Sequence, residues 1–266
     1  MNKYEITKRI EKFAPPELAE KWDCSGWIVE TSNTDIKKVM LCLTVTDDVV
    51  KQAKSQNCDM IISHHPLFTV PLAFSPSPLR GRGNNCPRAL ESVTVVGEGT
   101  DKPLDIYCTH TNMDRTQGGT TDTLIETIFP HINRESEQLP EQGEVPNEGF
   151  VRYINHKISM KDFIDKLKTI SPNLRYVNNK GISELKKIAF CAGSGTEFIQ
   201  EAFENGADAL VTGDLKFHTA LDSPIVVFDI GHFESEIMIL NVFEKLINND
   251  VEIVRAKEQS PFIYPL

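Results

Sequence analysis

Short, unbroken apolar runs recur along this chain of 266 residues, and each is followed by a stretch with helical spacing. Val39-Met40-Leu41-Cys42-Leu43 and Met60-Ile61-Ile62 show no polar alternation, so neither fits a strand with one face in water. Such runs suit strands buried on both faces, as in a parallel sheet covered by helices. Leu104 to Cys108 reads as a third strand. Helices are predicted from Asp47 or Asp48, as cap, to about Ser55, and from Thr120 or Thr121 to Phe129. A second block repeats the alternation: strand 150–154, helix 161–170, strand 187–191, helix 197–204, strands 209–211 and 225–229, helix 234–248 and a final strand 251–254. The pattern predicts an α/β protein with two α/β lobes around mixed or mainly parallel sheets. The first lobe is expected over residues 1–130 and the second over 149–266. Between them, 131–148 is acidic, contains Pro140 and Pro146 and lacks a hydrophobic period, so it reads as a linker or exposed loop.

Charge and cysteine usage narrow the function classes. A formal charge of −10 and a pI near 5.2 work against general nucleic-acid binding, which depends on Lys and Arg neutralising phosphates. No apolar run approaches the length of a membrane span, and Met1 to Glu5 begin a charged amphipathic helix rather than a signal peptide. The six cysteines have no CxxC spacing, and Cys42, Cys108 and Cys191 lie in apolar strand-like runs where a thiol acts as a small hydrophobe. The expectation is a reduced, cytoplasmic enzyme or binding protein without a disulfide framework.

The chemistry concentrates where strands end. His64-His65 follows the run Met60 to Ser63, and Pro66 stops the strand. Alone, the dipeptide reads more readily as two ordinary loop histidines than as metal ligands. Two more strands end comparably: Ile106 to Cys108 leads into Thr109-His110-Thr111-Asn112-Met113-Asp114, and 225–229 leads into Gly231-His232-Phe233-Glu234-Ser235-Glu236. Ligands of open α/β sheets bind beyond the carboxyl ends of strands. His232 and Glu236, and likewise His110 and Asp114, are four apart, which sets each pair on one helical face. Of seven histidines, only His131 and His156 lie away from strand exits, a clustering that random placement does not favour. Three histidines with two carboxylates exceed one ordinary catalytic zinc site. Shared between two ions about 3.5–4 Å apart, they leave positions for water and substrate, which favours hydrolysis.

The strings His64-His65-Pro66-Leu67-Phe68, His110-Thr111-Asn112-Met113-Asp114, Thr212-Gly213-Asp214-Leu215-Lys216-Phe217-His218 and Gly231-His232-Phe233-Glu234-Ser235-Glu236 together resemble the Nif-three-like dinuclear metal-centre family, the GTP cyclohydrolase 1 type 2 homologues. The resemblance runs in the family's motif order from Trp22-Asp23 to the C-terminal strand. It implies a two-lobed fold forming one family domain overall, commonly a toroidal homohexamer with a metal pair facing the interior. The short span between lobes leaves no room for the middle domain of longer members. The resemblance further implies two divalent ions per chain, of zinc, iron or manganese. His64 would bind one ion, His65, Asp114 and His232 the other, and Glu236 would bridge both. His110 would then stand beside the ligands or face the substrate. Thr44 stands where the family often has Asp, and Cys24 where an Asn often follows the Trp-Asp pair. Both departures bear on the substrate.

Other features carry two readings each. Gly193-Ser194-Gly195-Thr196 is either a phosphate cradle at a helix N-terminus or a tight strand-to-helix turn. Lys216 and His218 either meet a substrate phosphate and move protons or begin a solvated helix capped by Asp214. Trp22 and Trp27 are expected to pack a core or an oligomer contact, and Arg80, Arg82 and Arg88 form a small basic cluster after the histidine pair. Two functional classes remain. One is a metal-dependent hydrolase of a small nucleotide-like substrate, with Glu236, His110 and His218 at the chemistry. The other is a metal-loaded ring acting as scaffold or regulator with little catalysis.

Overall fold

Contacts divide the chain into two units, Met1–Thr116 with Ile239–Glu258, and Gln117–Met238 with Gln259–Leu266. The structure, a computed structural model, describes residues 1–66, 103–130, 149–247 and 250–264. In the first unit the chain forms α1 (Lys3–Phe13), β1 (Gly26–Val29), β2 (Lys38–Thr44), α2 (Asp47–Ser55), β3 (Met60–His65), β4 (Asp105–Cys108) and α3 (Thr111–Arg115). The second unit holds α4 (Thr120–Ile128), β5 (Arg152–Ser159), α5 (Met160–Lys168), β6 (Arg175–Val177), β7 (Glu184–Phe190), α6 (Ile199–Glu204), β8 (Ala209–Thr212), α7 (Phe217–Leu221), β9 (Val226–Asp229) and α8 (His232–Glu236). The chain then returns to the first unit with α9 (Leu240–Ile247) and β10 (Glu252–Arg255).

Each unit is built on a five-stranded mixed sheet, in the orders β1-β4-β3-β2-β10 and β5-β7-β8-β9-β6. The inner strands run parallel, while β1, β5 and β6 are antiparallel edges. The two-lobed α/β reading with mixed sheets therefore holds. Side-chain alternation explains the apolar runs. In β7 to β9, Ile188, Phe190, Ala209, Val211, Val226 and Phe228 join one core with α4 and α5, while Ala189, Leu210 and Val227 join another with Ile199 and Ala202 of α6. In the first unit Met40, Cys42, Ile61 and Ile106 pack with Val49, Val50 and Ala53 of α2. Elsewhere in that unit α1 buries Ile6 and Ile10, and α9, which contacts α1 and β2, buries Leu240, Phe243 and Ile247.

A buried ion pair ties α1 to the start of β4. Lys3 Nζ reaches Thr31 O at 2.5 Å and Asp105 Oδ1 at 3.3 Å, with both side chains fully buried. The ammonium also lies 5.0 Å from the Trp27 ring centroid. Burial pushes the Asp105 carboxyl up despite the Thr31 amide and the Lys3 charge.

Several boundaries differ from the sequence reading. The division falls after Thr116, not at 130, because Leu124, Ile125 and Ile128 of α4 enter the second unit's core. The helix expected over 234–248 is interrupted by a 3₁₀ turn at Ile237–Ile239, where the chain passes from one unit to the other. Thr46, not Asp47 or Asp48, caps α2, its hydroxyl accepting from Val49 N at 3.2 Å. The linker expected over 131–148 and the Arg80, Arg82, Arg88 cluster lie outside the described residues. Among the described residues, no helix is long and apolar enough to cross a membrane.

Candidate metal centre

The parallel register brings the ends of β2, β3 and β4 level: Thr44 pairs with His65, and Ser63 with Cys108. β3 continues through both histidines, so they are its last two residues rather than part of a turn. Neighbours on a strand diverge, yet the His64 and His65 ring centroids are 5.0 Å apart. His110, just after β4, completes the group, with ring centroids 5.3 Å from His64 and 5.6 Å from His65. One nitrogen from each of the three lies within 4.8 Å of the others, so His64, His65 and His110 could hold a metal ion. Asp114, on α3, approaches the same cluster: its Oδ1 lies 3.3 Å from His64 Nε2.

Each imidazole in this cluster is anchored through Nδ1. His64 Nδ1 is 3.0 Å from Thr109 O, His65 Nδ1 2.7 Å from Thr44 Oγ1 and His110 Nδ1 3.0 Å from Asp23 Oδ1. Asp23 is itself fixed, accepting from Cys24 N at 2.6 Å, Ser25 Oγ at 2.8 Å, and Thr111 N and Oγ1 at 3.0 and 2.5 Å. Burial alone would raise its carboxyl, but His110, Thr111 and Ser25 together hold it well below the usual carboxylate range. Trp22 lies steeply tilted to His110, with ring centroids 6.0 Å apart, and is 63% exposed, so it is not a core residue, whereas Trp27 packs against Tyr107 at 5.2 Å.

The second unit repeats the arrangement at the exits of β8 and β9. His232 Nδ1 is 2.7 Å from Asp214 Oδ2, and its Nε2 is 3.1 Å from Glu236 Oε2, four residues on along α8. Burial works against a charge on this imidazole, but Asp214 and Glu236 outweigh it and push His232 up to about 10. His232 in turn holds Asp214 below the ordinary carboxylate range. Glu236 is 3% exposed and packs against Gly193, where an added Cβ would lie 2.1 Å from Glu236 Oε1.

That contact bears on the two readings of the glycine turn and favours the tight strand-to-helix turn. Gly193 N donates to Ser235 Oγ at 2.9 Å and Gly195 N to Thr212 Oγ1 at 2.8 Å, so neither amide is available to a phosphate. At Gly195 an added Cβ would lie 2.5 Å from Cys191. The glycines allow close packing beneath the carboxylate. Lys216 and His218 are exposed, the latter edge-on to Phe217 at 5.3 Å, and among the described hydrogen bonds and ion pairs none joins His218 to His232 or Glu236.

These donor sets fit a cation. A carbonyl only accepts, so His64 Nδ1 carries the proton toward Thr109 and Nε2 of the neutral ring has a lone pair facing Asp114 Oδ1. The carboxylate Asp214 likewise takes the His232 Nδ1–H and leaves Nε2 facing Glu236, where the proton of the raised imidazole joins the pair and a bound cation would replace it. At His64 and Asp114 two electron-rich atoms 3.3 Å apart repel unless positive charge, a proton or a metal ion, lies between them. Asp114 Oδ1 is shut off from solvent and, among the described residues, accepts no hydrogen bond. Sequence reasoning found the ligand candidates but missed Asp23, Thr44, Asp214 and Gly193 as their supports. The Trp22-Asp23 pair and the Gly-Asp after β8 were visible signals for two of them.

Known proteins share this chain's sequence and fold. The family model Duf34/NIF3 (NGG1p interacting factor 3) matches residues 1–261. The GTP cyclohydrolase 1 type 2 homolog of Clostridium perfringens is 32% identical over 97% of both chains. The NIF3-like protein 1 of Drosophila melanogaster is 29% identical, with 82% of this chain matching 70% of that one. Among solved structures, reduced HcgD from Methanocaldococcus jannaschii has a TM-score of 0.73 at 27% identity, covering 96% of this chain and 97% of that one. A Bacillus cereus protein related to NIF3 shares the fold, with a TM-score of 0.75 at 21% identity over 100% of this chain and 99% of that one. The protein whose strand ends carry these imidazoles and carboxylates belongs to the DUF34/NIF3 family.

Proposed function

We propose that this protein binds two divalent metal ions per chain and uses them to hydrolyse a small nucleotide-like substrate, GTP being the candidate suggested by its relatives' names. The ligand set in this reading is His64 on one ion, His65, Asp114 and His232 on the other, and Glu236 on both. The observation that carries it is the recurring imidazole with Nδ1 committed to an acceptor and Nε2 turned to a carboxylate, at His64 with Asp114 and at His232 with Glu236. When bound, zinc, iron or manganese supplies Lewis acidity to a water and to a leaving oxygen. His110, with Nδ1–H held by Asp23, presents Nε2 for proton transfer beside the ligands, and this geometry favours it over the exposed His218. The reading extends to a cytoplasmic homohexamer, the assembly being what the family resemblance implies and the compartment what cysteines without CxxC spacing suit.

Metal analysis after reconstitution tests the reading. About two ions per chain are expected, with content and GTP turnover falling together in His65→Ala and Glu236→Ala. Wild-type protein that retains no ions overturns the dinuclear assignment. Ions without turnover of GTP or other nucleotides overturn the hydrolase and leave the metal-loaded scaffold. A solution mass other than six times 29.9 kDa overturns the hexamer.

A further inference from the structure

Asp214 adopts a left-handed backbone conformation, φ +56°, at the exit of β8. Aspartate visits this region more readily than most residues, but at a cost that glycine does not bear. The backbone on either side is pinned. Gly213 N donates to Gly193 O at 2.7 Å, and Leu215 N to Asp229 Oδ2 at 3.1 Å. An added Cβ at Gly213 would lie 2.8 Å from His232 N, so this turn passes directly against the start of α8. Between those fixed points the left-handed turn aims the Asp214 carboxylate at His232 Nδ1, 2.7 Å away. The opposite ring nitrogen faces Glu236 Oε2 at 3.1 Å.

We infer that Asp214 is a positioning residue, held in a costly backbone conformation because that conformation fixes the His232 ring with Nδ1–H on Asp214 and Nε2 toward Glu236. A residue selected only for this turn would be glycine or asparagine. Aspartate adds a charged acceptor, which fixes the ring's orientation and makes Nε2 a stronger donor to a metal. One readout below rests on the proposed metal binding and the other does not.

Asp214→Gly and Asp214→Asn test the assignment. Glycine relieves the backbone while removing the carboxylate, so metal-free Asp214→Gly is expected to melt within about 2 °C of wild type. Its zinc affinity is expected to fall about 10–100-fold. Asparagine tolerates the turn and keeps an oxygen acceptor, so Asp214→Asn should lose less. In the proton NMR spectrum of metal-free protein, the hydrogen-bonded Nδ1–H of His232 should persist in wild type and Asp214→Asn and vanish in Asp214→Gly. A large drop in melting temperature for Asp214→Gly, or zinc affinity and proton signal both unchanged, overturns the inference. Wild-type protein that binds no zinc refutes the metal reading, and the proton signal still decides the role of Asp214.

Discussion

Replacing Gly193 by alanine separates backbone strain from damage to the Glu236 carboxylate. Gly193 has φ +67°, and an alanine Cβ would lie 2.1 Å from Glu236 Oε1 and 3.1 Å from Cδ. The left-handed conformation costs about 1–2 kcal/mol for a residue with a Cβ. Overpacking against a carboxylate only 3% exposed adds about 1–3 kcal/mol. Together these give about 2–5 kcal/mol, or a fall in Tm of roughly 4–20 °C at 2–4 °C per kcal/mol. To regain ordinary contact the carboxylate must retreat by about 1 Å, against a tolerance of about 0.2 Å in metal–ligand distances. Zinc affinity should therefore fall at least 10–100-fold. Gly206 provides the control, since it has φ +75° with no atom within 4 Å of an added Cβ. Gly206→Ala bears the backbone cost without the clash. Thermal melting of metal-free protein and competition with a chromophoric chelator measure the two effects. Matching Tm and zinc affinity in the two variants would refute the argument that Gly193 exists to admit Glu236.

Asp23→Asn should cost about 3 kcal/mol or more, because an amide nitrogen replaces either Oδ1, which takes Cys24 N and His110 Nδ1, or Oδ2, which takes Ser25 Oγ and Thr111 N and Oγ1; urea denaturation measures it. The depressed Asp23 pKa contributes stability that is present above the unfolded value near 3.9 and lost as pH falls through the folded one, so this variant should show a flatter acid limb than wild type. Lys3→Met strands Asp105 in the interior and should cost about 3–5 kcal/mol, while Lys3→Met with Asp105→Asn should recover at least half, as a double-mutant cycle would show. Phe163→Ala empties a fully buried position between Phe129 at 5.9 Å and Phe228 at 5.1 Å, and should lower stability by about 3–5 kcal/mol in the same assay.

The inner strands were legible because burial on both faces leaves an unbroken apolar run, as in Val39 to Leu43, and a helix face leaves periodicity, as in α5. The edge strands β1 and β6 were not. Gly26–Val29 and Arg175–Val177 are short and partly exposed, and their pairing depends on partners far along the chain. The broken helix around Ile237–Ile239 was missed because an apolar run gives no sign that Met238 packs in one unit and Ile239 belongs to the other. At the site, imidazoles and carboxylates at strand exits announced themselves by type and position. Their supports did not, because Asp23 lies 87 residues from His110 and Asp214 18 from His232.

Those supports grade the imidazoles chemically. Four rings take Nδ1 partners of three kinds: a backbone carbonyl at His64, a hydroxyl at His65, and carboxylates at His110 and His232. A carboxylate acceptor orients the opposite nitrogen with a charge-assisted hydrogen bond, stronger than that to a neutral oxygen, so the rings of His110 and His232 are held more firmly than that of His64. The hydroxyl of Thr44 can donate or accept, so of these four rings only His65 has no proton position imposed by its Nδ1 partner. A carboxylate at position 44 would impose one and add negative charge beside the pair. Thr44 therefore leaves His65 the most adaptable of the four, with its tautomer set by whatever binds at Nε2.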